Sequence, residues 1–323
     1  MPVLPDDAAF ATPFAVHVAE GLSAPRAYLS SRFIYDRRGS QLFQRIMRLD
    51  EYYLTRAEYE ILSREAASLI ALFSAGERPF ELIEFGAGDG TKTKLLLRAG
   101  LDADATFRYR PVDISGDILA ELAAGLHAES PGLVVEPIAQ TYLEALETLG
   151  GAEAPGGARR VVLFLGSNIG NFGLADARAF CREVTGALHP GDFFLVGVDR
   201  RKDPRRILAA YDDASGVTAA FNLNLLRRAN DELGADFDLD GWGFYPLYDP
   251  ESGEVRSYLY PHRAQRVRIA GLGIDRTFTT EEVIHTEVSR KYSDAEIASL
   301  VGREPTRTLT DAGGLFVDAV WEI

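Results

Sequence analysis

The fold of this 323-residue chain is decided by an apolar run that ends in alternating glycines, Phe80-Glu81-Leu82-Ile83-Glu84-Phe85-Gly86-Ala87-Gly88-Asp89-Gly90. Residues 80–85 are a strand-like run, although they include Glu81 and Glu84, and a helical pattern begins shortly after the glycines, at Leu95-Leu96-Leu97. Glycines at alternate positions let the backbone turn sharply and approach a ligand closely, because no side chain projects from Cα. The stretch therefore predicts a strand, a ligand-binding loop and a helix in succession.

Short apolar segments recur along the chain with helical patterns between them. The segments are residues 109–112, 134–138, 161–165 and 193–198, and the helical patterns cover residues 118–127, 175–188 and 294–301. This alternation favours a parallel sheet with helices on both faces. The run Val161-Val162-Leu163-Phe164-Leu165 is apolar throughout, as in a strand buried on both sides. We predict an α/β fold with a doubly wound sheet.

The alternation stops after Asp199, which indicates an insertion. A long helical segment at 207–233 is followed by an aromatic, turn-rich stretch at 237–260 and then by the alternating run Arg266-Val267-Arg268-Ile269. These patterns favour a second, α+β domain. We predict a sheet domain of residues 17–200 and 292–323, and a second, substrate-binding domain of residues 1–16 and 201–291.

Composition and charge limit the class of partner. The net charge of −14 would repel the phosphates of a nucleic acid, and the apolar runs are too short to span a bilayer. The N-terminal residues lack the basic and apolar regions of a secretory signal. One cysteine, Cys181, and histidines without metal-ligand spacing argue against a disulfide or a metal site. We predict a cytoplasmic monomer that acts on a small molecule, without a metal, nucleic acid or membrane.

The spacing of the glycines indicates the kind of cofactor. The NAD fingerprint needs its third glycine where this chain has Thr91. Glycines at 86, 88 and 90, with the acidic Glu84 before them, are instead typical of a loop that curls beneath the methionine moiety of S-adenosylmethionine. Asp113 ends the second predicted strand, where a carboxylate can accept both ribose hydroxyls. The alternatives are a plain βα turn for the loop and a helix cap for Asp113.

Several longer segments resemble the histidine-specific Nα-methyltransferases of ergothioneine biosynthesis. They are Tyr35-Asp36-Arg37-Arg38-Gly39-Ser40-Gln41-Leu42-Phe43, Glu51-Tyr52-Tyr53-Leu54-Thr55-Arg56, Gly166-Ser167-Asn168-Ile169-Gly170-Asn171, the run 210–222, and Thr286-Glu287-Val288-Ser289. The resemblance implies a Rossmann-like, class I methyltransferase domain that carries a second domain, with L-histidine bound between the two.

The resemblance also implies roles for single residues. For the cofactor S-adenosylmethionine, the implied contacts fall on Gly86, Lys92 and Asp113, and we add Gly88, Tyr142 and, as an acceptor for the adenine in place of an acidic residue, Thr141 or Gln140. For L-histidine, they fall on Tyr52, Asn171, Tyr211, Glu287 and Ser289. We predict catalytic roles for Tyr35, which lines the same pocket, and for Asn171.

The chemistry of these residue types agrees with the implied roles. Glu287 and Ser289 are two apart, so on a strand they point to one face and can hold both nitrogens of an imidazole. Asn171 and Tyr211 offer an amide and a phenol to the amine and carboxylate of the amino acid. The alternatives are a core-edge aromatic role for Tyr52, a solvated strand residue for Glu287 and a cap for Asn171.

The chain departs from the family pattern at two positions. Thr141 stands where relatives carry an acidic residue that contacts the adenine amino group, and Ser257 stands where some relatives have a methionine near the imidazole. The resemblance implies methylation of the histidine α-amine to N,N,N-trimethylhistidine (hercynine). The alternatives are methylation of another aromatic amino acid or amine, such as tryptophan, and a non-catalytic cofactor-binding protein.

Overall fold

The computed structural model describes residues 12–150 and 154–323. The α-helices in these residues are α1 (Pro13–Ser23), α2 (Arg37–Ile46), α3 (Tyr53–Phe73), α4 (Thr93–Asp102), α5 (Gly116–Glu129), α6 (Tyr142–Gly150), α7 (Leu174–Gly186), α8 (Pro204–Ala209), α9 (Val217–Leu233) and α10 (Asp294–Val301). None of the helices in this part of the chain combines the length and the apolar character needed to cross a bilayer.

The strands of the described residues are, in chain order, β1 (Phe80–Phe85), β2 (Phe107–Asp113), β3 (Val134–Val135), β4 (Ile138–Ala139), β5 (Arg159–Phe164), β6 (Phe193–Asp199), β7 (Trp242–Asp249), β8 (Glu254–Pro261), β9 (Gln265–Ile269), β10 (Ile274–Phe278), β11 (Ile284–Arg290), β12 (Arg307–Thr310) and β13 (Phe316–Glu322). The single strand expected at 134–138 is thus two short strands, β3 and β4, which both pair with β2.

The chain divides into two compact units. The sheet unit comprises Leu54–Arg201 and Arg290–Ile323, and the second unit comprises the chain up to Tyr53 together with Lys202–Ser289. This division differs from the predicted one, because residues 17–53 belong to the second unit and not to the sheet. The predicted second-domain residues 1–11 lie outside the described residues.

Hydrogen bonds explain why the segment before Tyr53 belongs to the second unit. Asn224, on α9, donates through Nδ2 to the Ile34 carbonyl at 3.2 Å and to Asp36 Oδ1 at 2.9 Å. Arg228, one turn further along α9, donates to the Phe33 carbonyl at 2.9 Å. These carbonyls lie just before α2, so α9 satisfies backbone acceptors of the N-terminal segment.

The sheet unit has a mostly parallel sheet in the order β12-β13-β6-β5-β1-β2-β3. Strands β1, β2, β5 and β6 are parallel neighbours, whereas β13 runs antiparallel to both β6 and β12. From β1 the chain proceeds to one side through β2 and to the other through β5, which creates a topological switch point between β1 and β5. The predicted doubly wound α/β fold is confirmed.

Alternate residues of the central strands supply the two faces of the core. Ile83 and Phe85 of β1 face one hydrophobic cluster, while Phe80 and Leu82 face the other. All six residues of β1 are buried. A strand covered on both faces has apolar residues on both sides, as β1 has, although its buried residues also include Glu81 and Glu84.

The second unit contains α9, a three-stranded sheet in the order β11-β8-β7, in which β7 and β8 are antiparallel, and the antiparallel pair of β9 and β10. The single long helix expected at 207–233 is wrong, because the structure separates α8 from α9. The Asp213 carboxylate accepts from the Val217 amide at 2.9 Å, the Thr218 amide at 2.7 Å and the Ser215 hydroxyl at 2.6 Å. Asp213 therefore satisfies the first amides of α9 and starts a new helix there.

Candidate active site

The glycine loop lies at the carboxyl end of β1, beside the switch point of the sheet. Gly86, Gly88 and Gly90 have φ angles of 71°, 54° and 66°, in the left-handed region that favours glycine. A Cβ added to Gly86 would lie 2.7 Å from the Tyr142 hydroxyl and 3.1 Å from Asn168 Nδ2. The loop therefore exposes backbone at the edge where open α/β sheets bind their ligands.

Glu84, the acidic residue before this loop, stabilises it through buried hydrogen bonds. Its buried carboxylate accepts from the Thr93 hydroxyl at 2.6 Å and also from the Tyr109 hydroxyl. Burial raises the pKa of Glu84 to about 7, although its hydrogen bonds and Lys92 oppose the shift. Because Thr93 begins α4 and Tyr109 lies on β2, Glu84 ties the strand before the loop to the helix after it.

Asp113 reaches the same loop from the end of β2. Its Oδ1 accepts from the Ser115 amide at 3.0 Å, and the Gly88 backbone also donates to its carboxylate. The Gly86 amide donates to the Val112 carbonyl at 2.8 Å, which fixes the loop against β2. Burial raises the pKa of Asp113, and the backbone donors oppose the shift. The structure brings Gly86, Gly88 and Asp113 together, as the sequence predicts.

Lys92 lies at the start of α4 and is anchored by a residue that the sequence did not single out. Its ammonium forms an ion pair with the buried carboxylate of Glu58, on α3. Glu58 also accepts from the Gly166 amide, at 2.8 Å for one oxygen and 3.0 Å for the other. Gly166 follows β5, so Lys92 is held at the carboxyl edge of the sheet. No motif surrounds Glu58, because its partners are distant in sequence.

Tyr142 and Thr141 lie at the start of α6. Tyr142 stacks on Phe85, with ring centroids 5.3 Å apart, and burial raises the pKa of its hydroxyl. Thr141 is exposed, and its hydroxyl and amide donate to Glu144 Oε2 at 2.8 and 2.9 Å. Hydrogen bonds of this kind, between the residue before a helix and an acidic residue three positions later, form a helix cap. A carboxylate, from Glu144, therefore lies beside Thr141, where the chain lacks the acidic residue of its relatives.

Asn171 ends a single 3₁₀ turn, Asn168–Asn171, that follows β5. The turn begins at Ser167, whose φ of 57° is unusual for a residue other than glycine. The Ser167 hydroxyl accepts from the Asp199 amide at 3.0 Å, and the Tyr292 hydroxyl donates to the Ile169 carbonyl at 3.0 Å. Strained backbone of this kind persists where the surrounding contacts over-determine it. Asn171 itself is exposed and is the last residue of the turn, with Phe172 at the C-cap position.

An aromatic cluster in the second unit brings together the predicted tyrosines. Tyr35 contacts Phe43 and Phe221, with ring centroids 5.5 and 5.4 Å apart. Phe43 contacts Tyr52 at 6.3 Å, and Tyr52 contacts Tyr211 at 6.5 Å. We call these five residues the aromatic cluster. Phe43 and Phe221 lie within the segments quoted above, but only the fold shows that they join the predicted tyrosines.

Ser289 extends the aromatic cluster toward β11. The Tyr211 hydroxyl and Ser289 Oγ are 2.8 Å apart in a buried hydrogen bond. Glu287 lies two residues earlier on the same strand and is half-buried. A phenol, a hydroxyl and a carboxylate therefore lie on or beside β11, and the phenol belongs to a cluster of aromatic rings that meet mostly edge to face. Such a group is suited to a flat, polar ring ligand.

A second polar group lies beside β11, at Ser257. The Thr286 hydroxyl donates to Asn222 Oδ1 at 2.7 Å and approaches the Ser257 carbonyl at 3.2 Å. Ser257 is 1% exposed, and its own hydroxyl has no hydrogen-bond partner among the described residues. Ser257, the residue at which the chain departs from the family pattern, is thus a small, buried hydroxyl.

The sheet topology, the glycine loop and the acidic residue at the end of β2 together define an S-adenosylmethionine-dependent methyltransferase. The family described as histidine-specific, S-adenosylmethionine-dependent methyltransferase matches residues 14–323. The chain belongs to that family.

Curated relatives agree with this membership. The chain is 39% identical over 303 residues to the histidine N-alpha-methyltransferase of Mycolicibacterium smegmatis, covering 93% of this chain and 91% of the relative. It is 36% identical to the histidine N-alpha-methyltransferase of Mycobacterium tuberculosis, with the same coverage. It is 34% identical to the ergothioneine biosynthesis protein 1 of Neurospora crassa, covering 83% of this chain and 30% of that longer protein.

Proposed function

We propose that this protein transfers methyl groups from S-adenosylmethionine to the α-amino nitrogen of L-histidine and produces N,N,N-trimethylhistidine (hercynine) for ergothioneine biosynthesis. The observation that carries the proposal is the buried 2.8 Å hydrogen bond between Tyr211 and Ser289, with Glu287 two residues away and Tyr52 against the Tyr211 ring. Family membership supports the reaction, and this polar group supports the imidazole as the recognised part of the substrate.

The cofactor fits the residues of the sheet unit. Open space surrounds Gly88, Gly86 keeps the loop close to Tyr142, Asp113 offers acceptors to ribose hydroxyls, and Lys92 offers an ammonium to a carboxylate. We assign the adenine to Tyr142 and Thr141. When bound, S-adenosylmethionine supplies an electrophilic methyl group that its sulfonium already activates.

The residues of the protein then have to orient the acceptor and exclude water. We assign Glu287 and Ser289 to the two imidazole nitrogens, with Tyr211 fixing the Ser289 hydroxyl. We assign Tyr52 to a further polar contact with the imidazole, Asn171 and Tyr211 to the amine and carboxylate of the amino acid, and catalytic roles to Tyr35 and Asn171. The neutral amine attacks the methyl carbon in line as the bond to sulfur breaks, so alignment contributes most of the rate.

The domain roles and the setting of the protein are also proposals. We assign cofactor binding to the sheet unit and substrate binding to the second unit. The net charge of −14 favours a small-molecule substrate over a nucleic acid. We further propose that the protein works as a monomer in the cytoplasm.

Mass spectrometry of a reaction with S-adenosylmethionine and L-histidine tests this proposal. We expect products that carry one, two and finally three added methyl groups, with fragmentation locating them on the α-nitrogen. A parallel panel of aromatic amino acids, including tryptophan, should react more slowly. If histidine gains no methyl while another amine does, the substrate assignment is wrong although the methyltransferase class stands. Cofactor binding without turnover of any amine would favour the non-catalytic alternative.

Replacement of Asp113 by asparagine should weaken the binding of S-adenosylhomocysteine by about 10- to 100-fold, because the charge that strengthens the hydrogen bonds to ribose is lost. Asparagine keeps an oxygen for the Ser115 amide, so the loop should retain its shape. Isothermal titration calorimetry measures the effect. The exposed Asp117, on α5, gives a matched control as Asp117→Asn, which should bind as the wild type does. Equal affinities for the wild type and Asp113→Asn would rule out the ribose assignment.

A further inference from the structure

Around Lys92 the sheet unit contains a charged cluster with two buried acidic residues, Glu58 and Asp318, that have no role in the function proposed above. Glu58 and Asp318 are both 0% exposed, and Lys92 forms an ion pair with Glu58. The Lys92 ammonium lies above the chain at Gly166, 3.1 Å from the position of a Cβ added there. The same Gly166 amide donates to Glu58. The ammonium is therefore held at the carboxyl edge of β5, next to the glycine loop.

The carboxyl groups of Glu58 and Asp318 converge over one glycine. Asp318, on β13, lies opposite Gly197, on β6. A Cβ added to Gly197 would lie 2.0 Å from Glu58 Oε1 and 3.2 Å from Asp318 Oδ1. Neither oxygen of Asp318 has a hydrogen-bond partner among the described residues. An ionised Asp318 would thus be a buried charge without a donor, close to a second carboxylate, which is costly.

The protonation of Asp318 follows from these surroundings. Burial, and then the charge of Glu58, raise the pKa of Asp318 well above its usual range, and Lys92 opposes them. The other titratable groups near the cluster are Glu84, on β1, whose carboxylate interacts with Glu58 and Lys92, and Tyr109, which donates to Glu84. With Asp318 neutral, the Glu58 carboxylate and the Lys92 ammonium balance each other, and burial, which raises the pKa of Glu84 to about 7, limits the charge on that third carboxyl group.

We propose that Glu58 is a positioning residue that holds Lys92 for the carboxylate of S-adenosylmethionine, and that the proton on Asp318 keeps this site able to accept that anion. The inference rests on the proposed function only for the identity of the cofactor. An ammonium has three donors, so pairing with Glu58 leaves donors for a second anion. A second ionised carboxylate at Asp318 would instead make the cluster net negative and repel the anionic group of the cofactor.

The first test compares two ligands that differ in the group under discussion. S-adenosylhomocysteine has an amino-acid end with the α-carboxylate, whereas 5′-methylthioadenosine has the same nucleoside and lacks that whole end, its carboxylate and amine included. We expect Glu58→Gln to weaken the binding of S-adenosylhomocysteine by at least about tenfold, as for the loss of a hydrogen bond between charged groups. Binding of 5′-methylthioadenosine should change by less than about twofold, within the error of such comparisons. Kinetically, the KM for S-adenosylmethionine should rise while kcat changes little.

The result that would overturn the proposal is equal weakening of both ligands, which would indicate a merely structural role, or no weakening of either. Neither measurement uses histidine, so failure of the substrate assignment leaves the inference intact. If the wild-type protein itself does not bind S-adenosylhomocysteine, the proposed function and the inference both fail.

The second test uses Asp318→Asn and remains informative if Glu58→Gln does not fold. A carboxyl group with a raised pKa in the folded state stabilises the fold fully only below its unfolded pKa, and this stabilisation is lost as the pH rises through the folded pKa. Asparagine does not ionise, so Asp318→Asn lacks this loss of stability. The melting temperature of Asp318→Asn minus that of the wild type should therefore increase from pH 5.5 to pH 9. We expect a gain of about 2–4 °C or more, since one pKa unit corresponds to about 1.4 kcal/mol.

Affinity should follow the same pH dependence. The affinity of the wild type for S-adenosylhomocysteine should fall with rising pH more steeply than that of Asp318→Asn, because only the wild type gains a carboxylate beside Lys92. The exposed Asp102, on α4, provides the control variant Asp102→Asn, which should follow the wild type in both measurements. Parallel pH profiles for the wild type and Asp318→Asn would overturn the proposed role of the proton.

Discussion

Replacement of Glu287 by glutamine is expected to lower kcat/KM for L-histidine by about 100-fold, because a charge-assisted hydrogen bond to the imidazole is lost. Glutamine has almost the same volume as glutamate, so β11 and the buried bond between Tyr211 and Ser289 should remain intact. The effect should appear in kcat/KM for histidine and not in the affinity for S-adenosylhomocysteine, since we assign Glu287 to the acceptor substrate alone.

Steady-state kinetics with histidine and calorimetry with S-adenosylhomocysteine separate these two effects. The matched control is Glu281→Gln, which removes an exposed carboxylate six positions earlier, just before β11. A further comparison, Glu287→Ala, should shift the preference in an amino-acid panel away from imidazole. If Glu287→Gln methylates histidine at the wild-type rate, Glu287 does not bind the ring.

Replacement of Lys291 by methionine is expected to destabilise the protein by about 3–5 kcal/mol. The ammonium of Lys291 lies 2.9 Å from Asp199 Oδ2, and both side chains are 0% exposed. Methionine fills a similar volume but leaves the Asp199 carboxylate buried without this opposite charge. The Tyr292 amide donates to the Asp199 carbonyl at 2.9 Å, so the loss should also loosen the segment that leads into α10.

Urea or thermal unfolding measures the change, which corresponds to a fall in melting temperature of about 10 °C for a unit of this size. Lys94→Met is the control, because Lys94 pairs with Glu129 at 2.6 Å on the surface, where an ion pair contributes at most about 1 kcal/mol. A double variant, Lys291→Met with Asp199→Asn, should recover part of the loss. Equal stability of Lys291→Met and Lys94→Met would contradict the structural role of the buried pair.

The sheet and the cofactor loop could be predicted because their signals are local. The strands β1 and β5 are buried along almost their whole length, so each contains apolar residues that point to both faces and reads as a strand-like run. The left-handed φ angles at Gly86, Gly88 and Gly90 demand glycine, so the loop is visible in the sequence itself. The acidic residue Asp113 could be found by its position after the second such run.

Other features could not be predicted, because they depend on contacts between distant residues. Glu58 reads as one more charged residue of a long helix, and its partners Lys92 and Gly166 lie 34 and 108 positions away. The sequence prediction assigns residues 17–53 to the other domain for the same reason, because the contacts that place them are long-range. Asn224 and Arg228 of α9 donate hydrogen bonds to backbone carbonyls of that segment. The break before α9 had a local signal in Asp213, but helical periodicity on both sides concealed it.

The place of β13 in the sheet has a consequence for how the protein is made. Strand β13 pairs with β6 along seven residues, yet the whole of the second unit's segment 202–289 lies between them in sequence. A ribosome therefore synthesises β6 well before its neighbour, and in the meantime the nascent chain presents β6 as an open edge. Chaperone capture or aggregation during translation should concentrate at that edge, and mutations that slow synthesis between residues 202 and 316 should lower the yield of soluble protein without altering the finished enzyme.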